Sequence, residues 1–272
     1  MATSTYLYLA AGLVLLAWWL IKGRRPAAPG RLAPASPPYQ PRPIKKPFAP
    51  LPYADVVEHY EQALAHQASA PQFRLLVMTH YNAQAYEVAL AVSQRFRAAL
   101  ATEFNRADQV LHAHLYTTTG EPGQAVAMYT QMLEQSVASA AVYNNRGYAY
   151  NLLAEYLLAI QDFNQAIALQ PKMAYAYNNR GLALLRLGMP AEGRVDIEHS
   201  LQLDRHNAYA YRNLGIYYFD QADYPAALRH FEQAHRLGTA PPELADYLTQ
   251  TRQRLGVDPS AGEQSAMPFS DN

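Results

Sequence analysis

Tyr143-Asn144-Asn145-Arg146-Gly147 and Tyr177-Asn178-Asn179-Arg180-Gly181 are the same five residues in the same order, 34 positions apart, and a looser copy, Tyr211-Arg212-Asn213-Leu214-Gly215, follows after another 34. A fixed interval of that length marks supersecondary units stacked in series, each a helix-turn-helix whose apolar faces are covered only by its neighbours. Such an array predicts a chain that holds something rather than converts it.

Working outward from Gly147, small and large residues fall at set distances: Tyr150 after three positions, Ala159 after twelve, Phe163 after sixteen, Ala166 after nineteen and Pro171 after twenty-four. The glycine and the alanines are small where two helices press together, the aromatic residues fill the space between helices, and the proline ends the second helix. This pattern resembles the tetratricopeptide repeat family, with tyrosine where the family often has tryptophan. The unit around Gly181 keeps an apolar Leu184 but puts Gly193, Ile197, Ser200 and Arg205 at the later places. The unit around Gly215 regains Tyr218, Ala227, Phe231 and Ala234, with Thr239 at the proline place and Pro241 shortly after. One interval upstream, Ala113 stands for glycine while Tyr116, Ala125 and Tyr129 stay in phase around a Gly120 to Gly123 turn. The reading is therefore an all-α solenoid over 106–241, with a degenerate unit 106–139 and units 140–173, 174–207 and 208–241. A capping helix follows over 242–255, then a disordered tail, 256–272.

Residues 53–105 do not repeat the motif. Val56, Val57, Tyr60 and Leu64 form one apolar stripe, Pro71 interrupts, and a helical stretch runs from about Tyr81 to Phe104. This is expected to be a divergent repeat or a cap, since the end of a solenoid must present a face that water tolerates.

The resemblance implies that the first helix of each pair lines a concave groove. It places Asn144, Asn145 and Tyr148, then Tyr175, Asn178 and Asn179, then Tyr209, Arg212 and Asn213 near that groove. A side-chain amide offers both donor and acceptor, so the row Asn145, Asn179, Asn213 could pair with the backbone of an extended peptide of any sequence. The same amides could instead bond neighbouring helices and hold the stack. The cationic clamp that chaperone-binding members use on a terminal carboxylate is not matched: only Asn179 agrees, and Asn144, Tyr148, Tyr209 and Asn213 occupy its other places. Arg146 and Arg180 are expected to pair with acids on adjacent helices.

Charge is divided along the chain. All seven cations of the first 50 residues precede the first acid, Asp55; the remaining 15 bases face all 22 acids, which gives an arm of +7 and a body of −7. A body of that sign does not suit broad nucleic-acid binding, which needs a basic face to replace phosphate counterions. Cysteine is absent, which removes disulfides, thiolate metal sites and cysteine catalysis. His112 and His114 are two apart on a helix, and His230 and His235 five apart, spacings that do not converge on a metal. No phosphate-binding glycine loop, nucleophile elbow or paired-carboxylate motif is present in the sequence, so no catalytic residue, metal or cofactor is expected.

The N-terminus supplies the setting. Met1 to Ile21 carry no charge, and at about 1.5 Å per residue a helix of that length reaches about 30 Å, the thickness of the hydrocarbon layer. Trp18 and Trp19 stand where interfacial aromatics belong, with Lys22, Arg24 and Arg25 directly after them. Residues 1–21 are thus expected to be a single transmembrane helix, N-terminus out and body on the cytoplasmic side. Residues 22–52 hold ten prolines and no acid, a basic spacer of extended chain. A cleaved signal peptide is the rival, with Ala33-Pro34-Ala35 imitating a cleavage site, although the charge lies at the wrong end. The function expected is that of a membrane-anchored interaction scaffold, an assembly factor or accessory subunit that takes a segment of a protein partner in its groove. The alternative is an exported adaptor.

Overall fold

The computed structural model describes residues 53–135, 139–238 and 243–256. Of the two units of the chain, 1–34 and 35–272, all described residues belong to the second. The expectations for the span 1–21, the spacer 22–52, Thr239, Pro241 and the tail beyond Gly256 lie outside these residues. Among the described residues no helix is long and apolar enough to cross a membrane.

Twelve helices and no strand are found among the described residues: α1 (Tyr53–His66), α2 (Ala70–Asn82), α3 (Tyr86–Ala99), α4 (Arg106–Thr118), α5 (Pro122–Glu134), α6 (Ala140–Leu152), α7 (Tyr156–Leu169), α8 (Ala174–Arg186), α9 (Pro190–Leu203), α10 (Ala208–Asp220), α11 (Tyr224–Arg236) and α12 (Leu244–Leu255). From α2 onward they form five hairpins closed by α12. The starts are set locally. Asn105 accepts from the amides of Ala107 and Asp108 in a full capping box, Ser139 accepts from Val142, and Asn207 from Ala210, satisfying donors that the first turn would leave open. Each hairpin turn contains one residue in the left-handed region, and these recur in register: Gln84, Gly120, Ala154, Gly188 and Ala222. Only two of the five are glycines, so the tertiary stack holds alanine or glutamine where the backbone by itself prefers glycine.

Within a hairpin the packing follows size. A Cβ added to Gly147 or Gly215 would fall within 3.0 Å of the ring of Phe163 or Phe231, so those glycines exist to let the ring lie against backbone. In the hairpin α8/α9, Gly181 and Gly193 face each other's carbonyls, with Ile197 in the aromatic place. The first hairpin reverses the sizes. Val77 holds the glycine place and Ser93 the aromatic place, while Ala89 remains small; all three are buried.

Residues 53–105 thus contain a hairpin, α2/α3, preceded by a lone helix. Pro71 opens α2, where a missing amide hydrogen costs nothing, rather than interrupting a helix. The stretch Tyr81 to Phe104 is divided by the turn at Ala83–Ala85. Helix α1 lies against α2 as α3 lies against α4, and Glu61 on α1 grips Arg95 on α3, 34 residues on, at 2.7 and 2.9 Å. It occupies the position of a second helix, with no first helix before it among the described residues.

First helices of successive hairpins touch one another from α4 through α6, α8 and α10 to α12, while second helices make no comparable contact. The first helices therefore line the inner side of the stack, and the second helices splay on the outer side.

Candidate functional site

On the inner side the amides and Arg212 form one hydrogen-bonded chain. Arg212 Nε donates to Asn213 Oδ1 at 3.0 Å, Asn213 Nδ2 to Asn178 Oδ1 at 2.9 Å, Asn178 Nδ2 to Asn179 Oδ1 at 3.3 Å, Asn179 Nδ2 to Asn144 Oδ1 at 3.2 Å, and Asn144 Nδ2 to Asn145 Oδ1 at 3.2 Å. All six residues are buried. The adjacent pair in each motif lets one asparagine reach back to the preceding helix while the other accepts from the following one. These side chains are a spine that joins α6, α8 and α10, not an open row of donors and acceptors. Asn151, which the sequence did not single out, adds a bond from its Nδ2 to the carbonyl of Asn179 at 3.1 Å.

What the inner side presents is tyrosine. Tyr148, Tyr175 and Tyr209 sit on α6, α8 and α10, each half-buried. Burial raises the Tyr148 phenol above its ordinary range, the neighbouring Tyr209 adds to this, and Arg212 opposes it. Burial likewise raises Tyr175, with Asp204 and Tyr209 contributing. Tyr148 and Tyr209 are two hairpins apart in sequence and still influence each other, as expected where first helices converge. Burial lowers the Arg212 guanidinium, offset by Glu243 and the Tyr148 and Tyr209 phenols. Tyr148 and Tyr209 thus lie beside the buried Arg212 cation and Tyr175 beside Tyr209, which gives the inner side aromatic area with polar tips.

The remaining candidates are structural. Arg146 holds Asp162 in a fork at 2.8 and 2.8 Å and reaches Thr130 of the preceding hairpin at 3.1 Å; Arg180 repeats this with Asp196 at 2.6 and 2.8 Å and Asn164 at 2.6 Å. Both arginines stay within the outer layer, their charge matched inside the hairpin. His112 and His114 part company: the first bonds Ser93 on α3 at 2.7 Å, the second the Tyr81 hydroxyl on α2 at 3.0 Å. No group of three or more metal-ligating side chains occurs among the described residues.

Comparison with known proteins agrees with this geometry. The tetratricopeptide repeat profile matches residues 172–240 and a second repeat profile of the same family matches 155–188. No curated protein matches the chain. Among solved structures, the Cut9–Hcn1 hetero-tetramer of the APC/C superposes with a TM-score of 0.56 at 15% identity, over 75% of this chain and 40% of that one. The structure of pilF from Pseudomonas aeruginosa gives 0.50 at 19% identity, over 75% and 86%. At such identities the likeness is one of fold. Residues 155–240 thus carry tetratricopeptide repeats, and the helical array they belong to is a tetratricopeptide-type solenoid.

Proposed function

We propose that this protein is an interaction scaffold, not an enzyme, which receives an extended segment of a protein partner against Tyr148, Tyr175 and Tyr209. The observation that carries the proposal is the placement of three half-buried tyrosines on successive first helices, Tyr148 and Tyr209 beside Arg212 and Tyr175 beside Tyr209. Asparagines that bond one another keep the three helices in register, so the aromatic surface is preorganised and its ordering cost is met on folding. Aromatic side chains with few rotatable bonds, beside a buried arginine, are the residue types that dominate binding energy at interfaces.

The setting we propose is a membrane. An uncharged stretch over residues 1–21, followed by Lys22, Arg24 and Arg25, supports a tether with the repeats on the cytoplasmic side, and the proline-rich 22–52 supports a spacer. In that setting the scaffold serves as an assembly factor or accessory subunit of a membrane protein complex. Capture in mild detergent with the native chain and with the triple variant Tyr148→Ser, Tyr175→Ser, Tyr209→Ser tests the groove: co-purifying proteins should be lost from the variant, and an identical set would refute it. Intact mass of the purified chain tests the tether, which requires residues 1–21 to be retained.

A further inference from the structure

The outer face offers a second and separate surface. Arg146 lies between two rings, with its guanidinium carbon 5.9 Å from the centre of Tyr143 and 5.8 Å from that of Tyr150. Arg180 is its counterpart one repeat later and has only the first, Tyr177, at 5.5 Å. The second ring is missing because Leu184 stands where the neighbouring repeats have Tyr116, Tyr150 and Tyr218. In the last of these, the Tyr218 ring covers the outer layer by stacking on His230 at 5.2 Å. Where the ring is missing the surface stays open. A groove of about 350 Å³ runs between α7 and α9, lined by Ile160, Asn164, Arg180, Leu184, Glu192 and Val195, with Asp196 beneath. Val195 is 59% exposed there, among the most exposed large apolar side chains described.

We infer that this groove takes an aromatic side chain from a second copy of the chain, supplied by the segment Lys45-Lys46-Pro47-Phe48. A ring inserted beside Leu184 completes the pair of rings around Arg180, a cation–π contact sheltered by Val195 and Ile160. The exposed carboxylate of Glu192 stands on the rim, so the occupant has to bring positive charge next to its ring. The arm supplies both, with two lysines directly before Pro47-Phe48, and arm and body carry opposite net charge, +7 and −7. The same chain cannot serve itself. Phe48 lies five residues before α1, a reach of about 17 Å at most. Two whole hairpins, α2/α3 and α4/α5, each adding about 8–10 Å, and helix α6 separate α1 from the groove. The contact thus joins neighbouring molecules arm to body, a heterologous mode that extends beyond a pair.

The test is binding of a fluorescein-labelled peptide of residues 40–52 to the full-length protein in mild detergent, followed by anisotropy. Saturable binding is expected. It should weaken by at least about tenfold when the peptide carries Phe48→Ala, the loss of one sheltered aromatic contact, and should fall with added salt and with Glu192→Gln. The decisive variant is Leu184→Tyr, which fills the groove with the ring that sibling repeats already accommodate; it should fold and should lose the peptide. Val195→Lys, on an exposed position, repels the lysines without touching the interior and should weaken binding as well. Absence of saturable binding to the native protein overturns the inference. So does undiminished binding by folded Leu184→Tyr or, if that variant does not fold, by Val195→Lys. None of these changes touches Tyr148, Tyr175 or Tyr209, so failure here is distinct from failure of the inner groove.

Discussion

Mild acid should loosen the first hairpins of this protein more than the later ones. His112 and His114 are buried on α4, and burial brings each imidazole from its ordinary 6.5 down to about 4, with Arg97 adding to the effect at His112. The sign follows from which state binds the proton. Between pH 6.5 and 4 the unfolded chain holds protons at these two sites that the folded chain refuses, so stability is greatest above 6.5 and falls as pH drops through that window. For one such group the loss between pH 7 and pH 5 is about 2 kcal/mol, and about 4 kcal/mol for the pair if they act independently. The two side chains tie α4 to α3 through Ser93 and to α2 through Tyr81. In a stack stabilised by nearest neighbours the loss should stay near those helices. Hydrogen exchange at the two pH values, corrected for intrinsic rates, should show α2 to α5 opening more at pH 5 than α8 to α11, where burial lowers His230 by less than it lowers His112 and His114. The double variant His112→Gln, His114→Gln should be less stable at pH 7 and should lose most of this pH dependence. A variant with the same loss from pH 7 to pH 5 as the native protein, or imidazole titrations near 6.5 by NMR, would show that the reasoning is wrong.

Two further outcomes are expected. Asn179→Ala removes the central member of the amide chain and leaves the Asn178 donor and the Asn144 acceptor buried, so urea unfolding should report a loss of roughly 2–4 kcal/mol, against roughly 1 kcal/mol for Asn145→Ala at the end of the chain. Ala154→Gly and Ala222→Gly relieve left-handed alanines at φ of 59° and should each raise stability by up to about 1 kcal/mol in thermal melts, whereas Gly188→Ala, at φ of 83°, should lower it by a similar amount.

Much of the array is visible in the chain itself because its cause is local and recurs. The interval between Gly147, Gly181 and Gly215, with a ring sixteen residues beyond two of them, states how close two helices come and what lies between them. Residues 70–99 hid the same hairpin because the sizes are exchanged. Val77 and Ser93 satisfy together what neither satisfies alone, and a position-by-position comparison with Gly147 and Phe163 misses a change that preserves only the combined volume. Pro71 carries a related ambiguity: its effect depends on whether it falls inside a helix or at its first turn.

The candidate site divides along the same line. The resemblance to the repeat family places Asn144, Asn145, Asn178, Asn179 and Asn213 on first helices near the inner side, since that requires only the motif and its interval. What each amide bonds is settled by the separation and tilt of α6, α8 and α10, which bring Asn179 Nδ2 to Asn144 Oδ1 and Asn213 Nδ2 to Asn178 Oδ1, partners 35 residues apart. An asparagine facing a ligand and one facing the next helix carry the same letter at the same place. The repeat interval and the sizes of the residues within it state that helical hairpins stack and which faces meet. Which polar groups the stack consumes and where, as at Leu184, it leaves a space unfilled emerge from the packed helices, because hydrogen bonds and voids belong to distances between elements and a single chain of letters carries none of those distances.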